Sequence, residues 1–172
     1  MTCAIGLEQD GRVWLGWDSA STDELYSQEI VRDPKGWVRD GWGFAFAGSW
    51  RCGQLLRHEL RTTRRRATDV DRYITSVLVA DIRAILARES EEERQALEML
   101  IATKGRLFGF SAKTGMVLRN ACGFDAVGSQ EALAGMTLTA GRTDPERRLR
   151  AVLAAVAAHS ANVRGPFTVI RV

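Results

Sequence analysis

The chain has 172 residues, 45% of them apolar and 26% charged, with a net charge of +3. That length buries one substantial core and leaves little room for two, so a single domain over 1–172 is expected, and the small net charge supplies no field that argues for nucleic acid or an acidic membrane surface. Three widely spaced cysteines, Cys3, Cys52 and Cys122, with no CxxC pair, argue against a disulfide framework and a thiolate zinc site.

The elements follow in chain order. Strands are expected at TCAIGLE and RVWLGWD, joined through Asp10-Gly11, and at Ile30 to Val38 and Trp42 to Ala47, joined through Asp40-Gly41. Asp-Gly is the dipeptide that tight hairpin turns prefer. Apolar spacing turns helical between Ser49 and Arg61, where an arginine cluster at Arg57, Arg61, Arg64, Arg65 and Arg66 reads as a solvated helix end. A second helix is expected after a Thr68–Asp71 capping box, with Val70, Ile74, Val77, Leu78, Ile82, Ile85 and Leu86 as its buried stripe. Glu91 to Arg94 reads as a solvated connection. Strands resume at Met99 to Thr103, Leu107 to Ser111, Met116 to Arg119 and Phe124 to Val127, and a helix starts at Gly128-Ser129. Thr143-Asp144-Pro145-Glu146 opens the last helix, with Leu149, Val152, Leu153 and Val156 on its apolar stripe, and Phe167 to Val172 alternates as a closing strand. Strands and helices grouped in blocks point to helix layers outside two packed antiparallel sheets, an α+β protein built as a four-layer αββα sandwich.

The candidates for chemistry are individually weak. Thr2 is an ordinary strand former, His58 and His159 read as surface histidines, and Ser129 after glycine reads as a helix N-cap. The combination says more. A threonine at a mature N-terminus can use its own α-amino group, with a reference pKa of about 7.7–8.0, as the base for its hydroxyl. Such a site needs a nearby cation, a carboxylate to hold it, and backbone N–H groups to receive an oxyanion.

From TCAIGL through GWDSAS, DPKG, FAFAGS, LFGFSAKTG and AVGSQEAL, in that order over nearly the whole chain, the sequence resembles the proteasome β-subunits and the bacterial HslV-type peptidases. The resemblance implies an N-terminal-nucleophile (Ntn) hydrolase in which Thr2, freed by removal of Met1 without a propeptide, attacks the scissile carbonyl and forms an acyl-enzyme. It implies Asp18 as the carboxylate and Lys35 as the cation, although on spacing alone Lys35 reads equally well as a turn residue. Lysine is scarce here, three against twenty-one arginines, and a compact ammonium whose pKa shifts readily suits such a site. The resemblance further implies Gly48, with Ser49 beside it, at the oxyanion hole, Gly128 and Ser129 beside the N-terminal amine, and Ser21 and Thr22 where a peptide substrate adds as a β-strand. Trp50 and Arg51 read either as pocket residues or as helix-start residues.

Also implied are a homo-oligomeric ring confining the site and an AAA+ unfoldase partner. One departure stands out: where the family carries an aspartate and a serine before its last strand, this chain has Ser160-Ala161-Asn162-Val163-Arg164, without a carboxylate. That departure keeps a catalytically weak or inactive ring component as an alternative, and a small-molecule Ntn amidase using Cys3 is the third reading. No cofactor and no metal are expected, because no His, Cys and carboxylate cluster has ligand spacing. With no secretory pattern and no apolar run near the ~20 residues that cross a bilayer, a cytoplasmic protein without membrane contact is expected.

Overall fold

The computed structural model describes residues 2–22, 28–62, 69–129, 131–139 and 144–172. Strands β1 (Cys3–Gln9) and β2 (Arg12–Trp17) form a hairpin, β3 (Ala20–Thr22) and β4 (Gln28–Ile30) a small separate one, and β5 (Gly36–Arg39) and β6 (Trp42–Ala47) a third. Asp10-Gly11, Asp40-Gly41 and Lys104-Gly105 all take positive φ at both positions, as the favoured two-residue hairpin turns demand. Helix α1 (Trp50–Glu59) is followed by α2 (Val70–Tyr73), a π-helical turn (Ile74–Leu78), α3 (Val79–Leu86) and a short α4 (Glu91–Gln95). Strands β7 (Glu98–Thr103), β8 (Arg106–Ser111), β9 (Val117–Leu118) and β10 (Phe124–Gly128) come next, then α5 (Glu131–Leu138), α6 (Pro145–His159) and β11 (Thr168–Arg171).

The larger strands make two antiparallel sheets, ordered β10-β1-β2-β11 and β5-β6-β7-β8-β9. Alternation along each strand divides the molecule into layers. Trp42, Phe44 and Phe46 of β6, with Met99 and Ile101 of β7, pack against Leu56, Ile74, Leu78, Ile82 and Leu86 of the first helical block. Cys3, Ile5 and Leu7 of β1 face Met136 of α5 and Leu149, Val152, Leu153 and Val156 of α6. Between the sheets lie Ala4, Val13, Leu15, Ala45, Ala47, Leu100, Ala102 and Val127. The result is the expected αββα sandwich. At its seam alanines alternate with larger side chains, and Gly43 leaves no room for a side chain because Val172 and Leu15 fill the space above it.

Five local expectations need correction. The strand drawn from Ile30 to Val38 is two strands, because Asp33-Pro34 interrupts it and 31–35 turns Lys35 inward; proline cannot donate to a ladder. The cap of α2 is Asp69, whose carboxylate accepts from the Arg72 amide at 3.0 Å, while Thr68 lies outside the described residues. Glu91 to Arg94 is helical, with Ser90 as N-cap and its acidic run in the first turn, where the helix dipole favours it. The stripe of the second helix is Val70, Ile74, Leu78, Ile82 and Leu86, with Ile85 partly buried against it, whereas Val77 is 45% exposed. Residues spaced by four overshoot a 3.6-residue turn. The π-helical turn, in which the Val79 amide reaches back to the Ile74 carbonyl, rewinds the helix and keeps these residues on one face. At the last helix the cap is Asp144, accepting from the Arg147 amide at 2.9 Å; Thr143 lies outside the described residues.

Candidate active site

Thr2, 7% exposed, immediately precedes β1. At the end of the adjacent β2, Asp18 is completely buried, and its amide donates to the Cys3 carbonyl at 3.2 Å. Its carboxylate collects four donors. Oδ1 accepts from the Cys3 amide at 3.0 Å and from the Lys35 ammonium at 2.8 Å, and Oδ2 accepts from the Ala20 amide at 3.0 Å and the Arg164 amide at 3.4 Å. A charge so placed is tolerable only when paired and fully hydrogen-bonded, and here it is both.

Lys35 is fully buried as well. The segment before β5 carries it inward, its carbonyl accepts from the Phe46 amide at 2.8 Å, and the next residue must be small. A side chain on Gly36 would lie 2.6 Å from the Phe44 carbonyl oxygen and the Trp17 ring. Burial pushes the Lys35 ammonium below the ordinary lysine range, while the charge and hydrogen bond of Asp18 pull it back up. The Trp50 ring faces it at 5.6 Å, a favourable cation–π geometry.

Around Thr2 the backbone is unusually close. Gly128, paired with Cys3 across β10 and β1, has φ +85, and a side chain there would collide with the Thr2 carbonyl. Ala47 closes the same corner, its Cβ 3.0 Å from the Cβ position of Gly128. Gly48, exposed, with φ +86, follows directly and has no room for a side chain against the Ala96 carbonyl. Ser129 is buried next to Gly128. The candidates Thr2, Asp18, Lys35, Gly48, Gly128 and Ser129 thus gather at one end of the sheet seam.

The other candidates fall differently. Ser49 is the N-cap of α1, its hydroxyl accepting from the Cys52 amide at 3.1 Å and donating to the Glu93 carboxylate. Ser21 and Thr22 lie in β3, opposite Glu29 and Gln28, and the buried Thr22 hydroxyl has no hydrogen-bond partner among the described residues. His58 and His159 are exposed at helix ends. Trp50 is partly buried, edge-on to Phe46, and Arg51 pairs with Glu89 on the surface.

Sequence reasoning missed the part played by the loop 160–166. Besides the Arg164 amide on Asp18, the loop accepts at the Arg164 carbonyl from the Ser19 amide at 3.0 Å and at the Pro166 carbonyl from the Ser19 hydroxyl at 2.6 Å. Gln28 is tied to the Ala161 carbonyl at 2.8 Å, and the Ser160 hydroxyl serves the loop itself by accepting from the Asn162 amide. Apart from the Ser160 hydroxyl, the loop takes part through its main-chain groups, which leave no residue signature. Among the described residues no group of three His, Cys, Asp or Glu is placed to hold a metal ion, and no helix is long and apolar enough to cross a membrane.

The architecture is that of the proteasome-type Ntn hydrolases. No protein-family model and no curated protein matches the chain, but solved structures match it along nearly its full length. BPH from Thiobacillus denitrificans, in complex with epoxomicin, superposes with a TM-score of 0.82 at 20% identity, covering 99% of this chain and 97% of that one. Eukaryotic HslV from Trypanosoma brucei gives 0.73 at 16%, covering 98% of each. Anbu from Pseudomonas aeruginosa, solved as a helical assembly, gives 0.71 at 14%, covering 99% of this chain and 80% of that one.

Proposed function

We propose that this chain is an N-terminal threonine peptidase, in which Thr2, exposed by removal of Met1, attacks a peptide carbonyl and forms an acyl-enzyme that water hydrolyses. The observation that carries the reading is the fully buried Lys35–Asp18 pair at 2.8 Å, tied by Asp18 to the Cys3 amide next to Thr2. A buried polar pair of this kind does not repay its desolvation as packing; it does place a fixed cation near the start of β1. In the proposed reaction the Thr2 α-amine takes the hydroxyl proton and Lys35 stabilises the developing alkoxide. The Gly48 amide receives the oxyanion, and Ser129 assists proton transfer at the amine. The extended segment Ser21–Thr22 pairs with the substrate backbone.

The proposal extends to a homo-oligomer in the cytoplasm, confining the site and fed by an AAA+ unfoldase; the assembled state of the Pseudomonas Anbu structure supports the oligomeric part. The absence of a carboxylate in Ser160–Arg164 favours a second reading, a weakly active or inactive ring component. A Cys3 nucleophile is disfavoured, since that side chain packs away from the seam among Ile5, Met136 and Leu149.

The test is intact-mass spectrometry before and after incubation with epoxomicin, whose warhead needs both the hydroxyl and the free amine of an N-terminal threonine. Loss of Met1 and one adduct, absent in Thr2→Ala, is the expected result. Retained Met1 with no adduct would sink the peptidase reading and leave the structural one.

A further inference from the structure

We infer that Glu98 is a positioning residue for this site, holding the Gly128–Ser129 turn against Thr2 from the opposite sheet. The inference rests on the peptidase reading for its catalytic meaning and on geometry for its substance. Glu98 opens β7 opposite Ala47 of β6. The strand's alternation places it on the seam side, in line with Leu100 and Ala102, while Met99 and Ile101 face the helices. Packing there calls for an apolar residue. A carboxylate at this position instead crosses the seam and accepts from the Gly128 amide at 3.2 Å.

That amide belongs to the last residue of an edge strand, and an unsatisfied N–H beside a sheet seam is costly. Gly128 itself lies close against the site, because the space a side chain would take there is filled by the Thr2 carbonyl and the Ala47 side chain. One hydrogen bond accepted by Glu98 therefore ties down three things: the end of β10, the buried Ser129 that follows it, and the gap between β10 and the strand leading to Gly48. The residue touches no reacting atom. It acts through Gly128.

The experiment compares full-length wild type, Glu98→Ala and Glu98→Gln in two measurements, epoxomicin inactivation and amide hydrogen exchange at Gly128. Glutamine keeps an acceptor oxygen for the Gly128 amide and loses the charge. Misplacement of a catalytic group by about 1 Å costs up to about 100-fold, so Glu98→Ala is expected to slow inactivation about tenfold to 100-fold. Glu98→Gln is expected to stay within about threefold of wild type, and Gly128 exchange to speed up in the alanine variant only. Inactivation and exchange unchanged in Glu98→Ala would overturn the inference, and so would a glutamine variant as impaired as alanine, which would assign the effect to charge. If wild type itself forms no adduct, the peptidase reading fails while Gly128 exchange still decides whether Glu98 holds the turn.

Discussion

At the scale of single residues, the centre of the site is an ion pair with no solvent exposure on either side. Removing one member of a buried pair strands the other, at a cost of about 3–5 kcal/mol. Lys35→Ala is therefore expected to lower the denaturation midpoint substantially as well as abolish the epoxomicin adduct. Asp18→Asn should do the same for a different reason: the new NH2 group would confront donors that now point at the carboxylate, either the Ala20 and Arg164 amides or Lys35 and Cys3. Urea titrations of both variants check the stability component separately from inactivation.

Lys35 also sets a pH dependence whose sign can be worked out. Burial holds its folded-state pKa below the ordinary lysine value. Between those two values the unfolded chain binds the extra proton, so this lysine's contribution makes stability rise with pH there and leaves it flat below. Catalysis runs the opposite way, because the cation is lost as pH rises through the folded pKa. The inactivation rate should climb with deprotonation of the Thr2 amine, whose reference pKa is about 7.7–8.0, and fall on a basic limb below the ordinary lysine range. In Lys35→Arg that limb should move upward. A profile without a basic limb would separate Lys35 from the chemistry.

At the scale of elements, the corner around Thr2 depends on two glycines in left-handed conformation. Gly48→Ala and Gly128→Ala each combine positive φ with collision against a backbone carbonyl, so each should cost more than the ~1 kcal/mol of an ordinary Gly→Ala exchange in an unfavourable conformation. Thermal melts would register this, with the Gly11→Ala turn variant as a reference, since its positive φ is free of nearby atoms. By contrast, Asp144→Ala removes the N-cap of α6 together with an exposed ion pair to Arg147 and should cost about 1 kcal/mol.

The same scale shows what could be read in advance. Hairpins closed by Asp-Gly, the helical spacing of α1 and the stripe of α6 are local patterns, and they were legible; Asp18 and Lys35 were named only through the resemblance that GWDS and DPKG help carry, since on spacing alone Lys35 reads equally well as a turn residue. The π-helical turn, the inward course of Lys35 and the loop 160–166 were not, whereas Pro34 was a local signal for the break that the strand drawn from Ile30 to Val38 passed over. Each of the three is settled by tertiary geometry: a face that must stay buried, a lysine drawn to a carboxylate seventeen residues earlier, and main-chain groups that carry no side-chain signature. Arg148 belongs with these. Only 5% exposed on a helix whose stripe looked purely apolar, it donates to the Met136 carbonyl and the Thr139 hydroxyl at the end of α5.

At the scale of the whole molecule, the two sheets pack over four alanines interleaved with larger side chains such as Leu15, Trp17, Leu100 and Leu107, and the helices cover the outer faces. Overpacking such a seam costs about 1–3 kcal/mol. Gly43→Val, set against Leu15 and Val172, should therefore destabilise the fold and, by spreading the sheets, weaken inactivation at a site it does not touch. Light scattering would report whether the proposed assembly survives that change.

The near-absence of lysine has a practical consequence. Besides the α-amine, the chain offers only three primary amines: Lys104 and Lys113 are exposed and Lys35 is sealed inside. Reductive methylation with carbon-13 formaldehyde would thus give a spectrum of very few signals. With Met1 removed as proposed, the titration of the Thr2 α-amine could be followed there directly, and Lys35, expected to stay unlabelled until the protein unfolds, would serve as a built-in gauge of how tightly the site is closed.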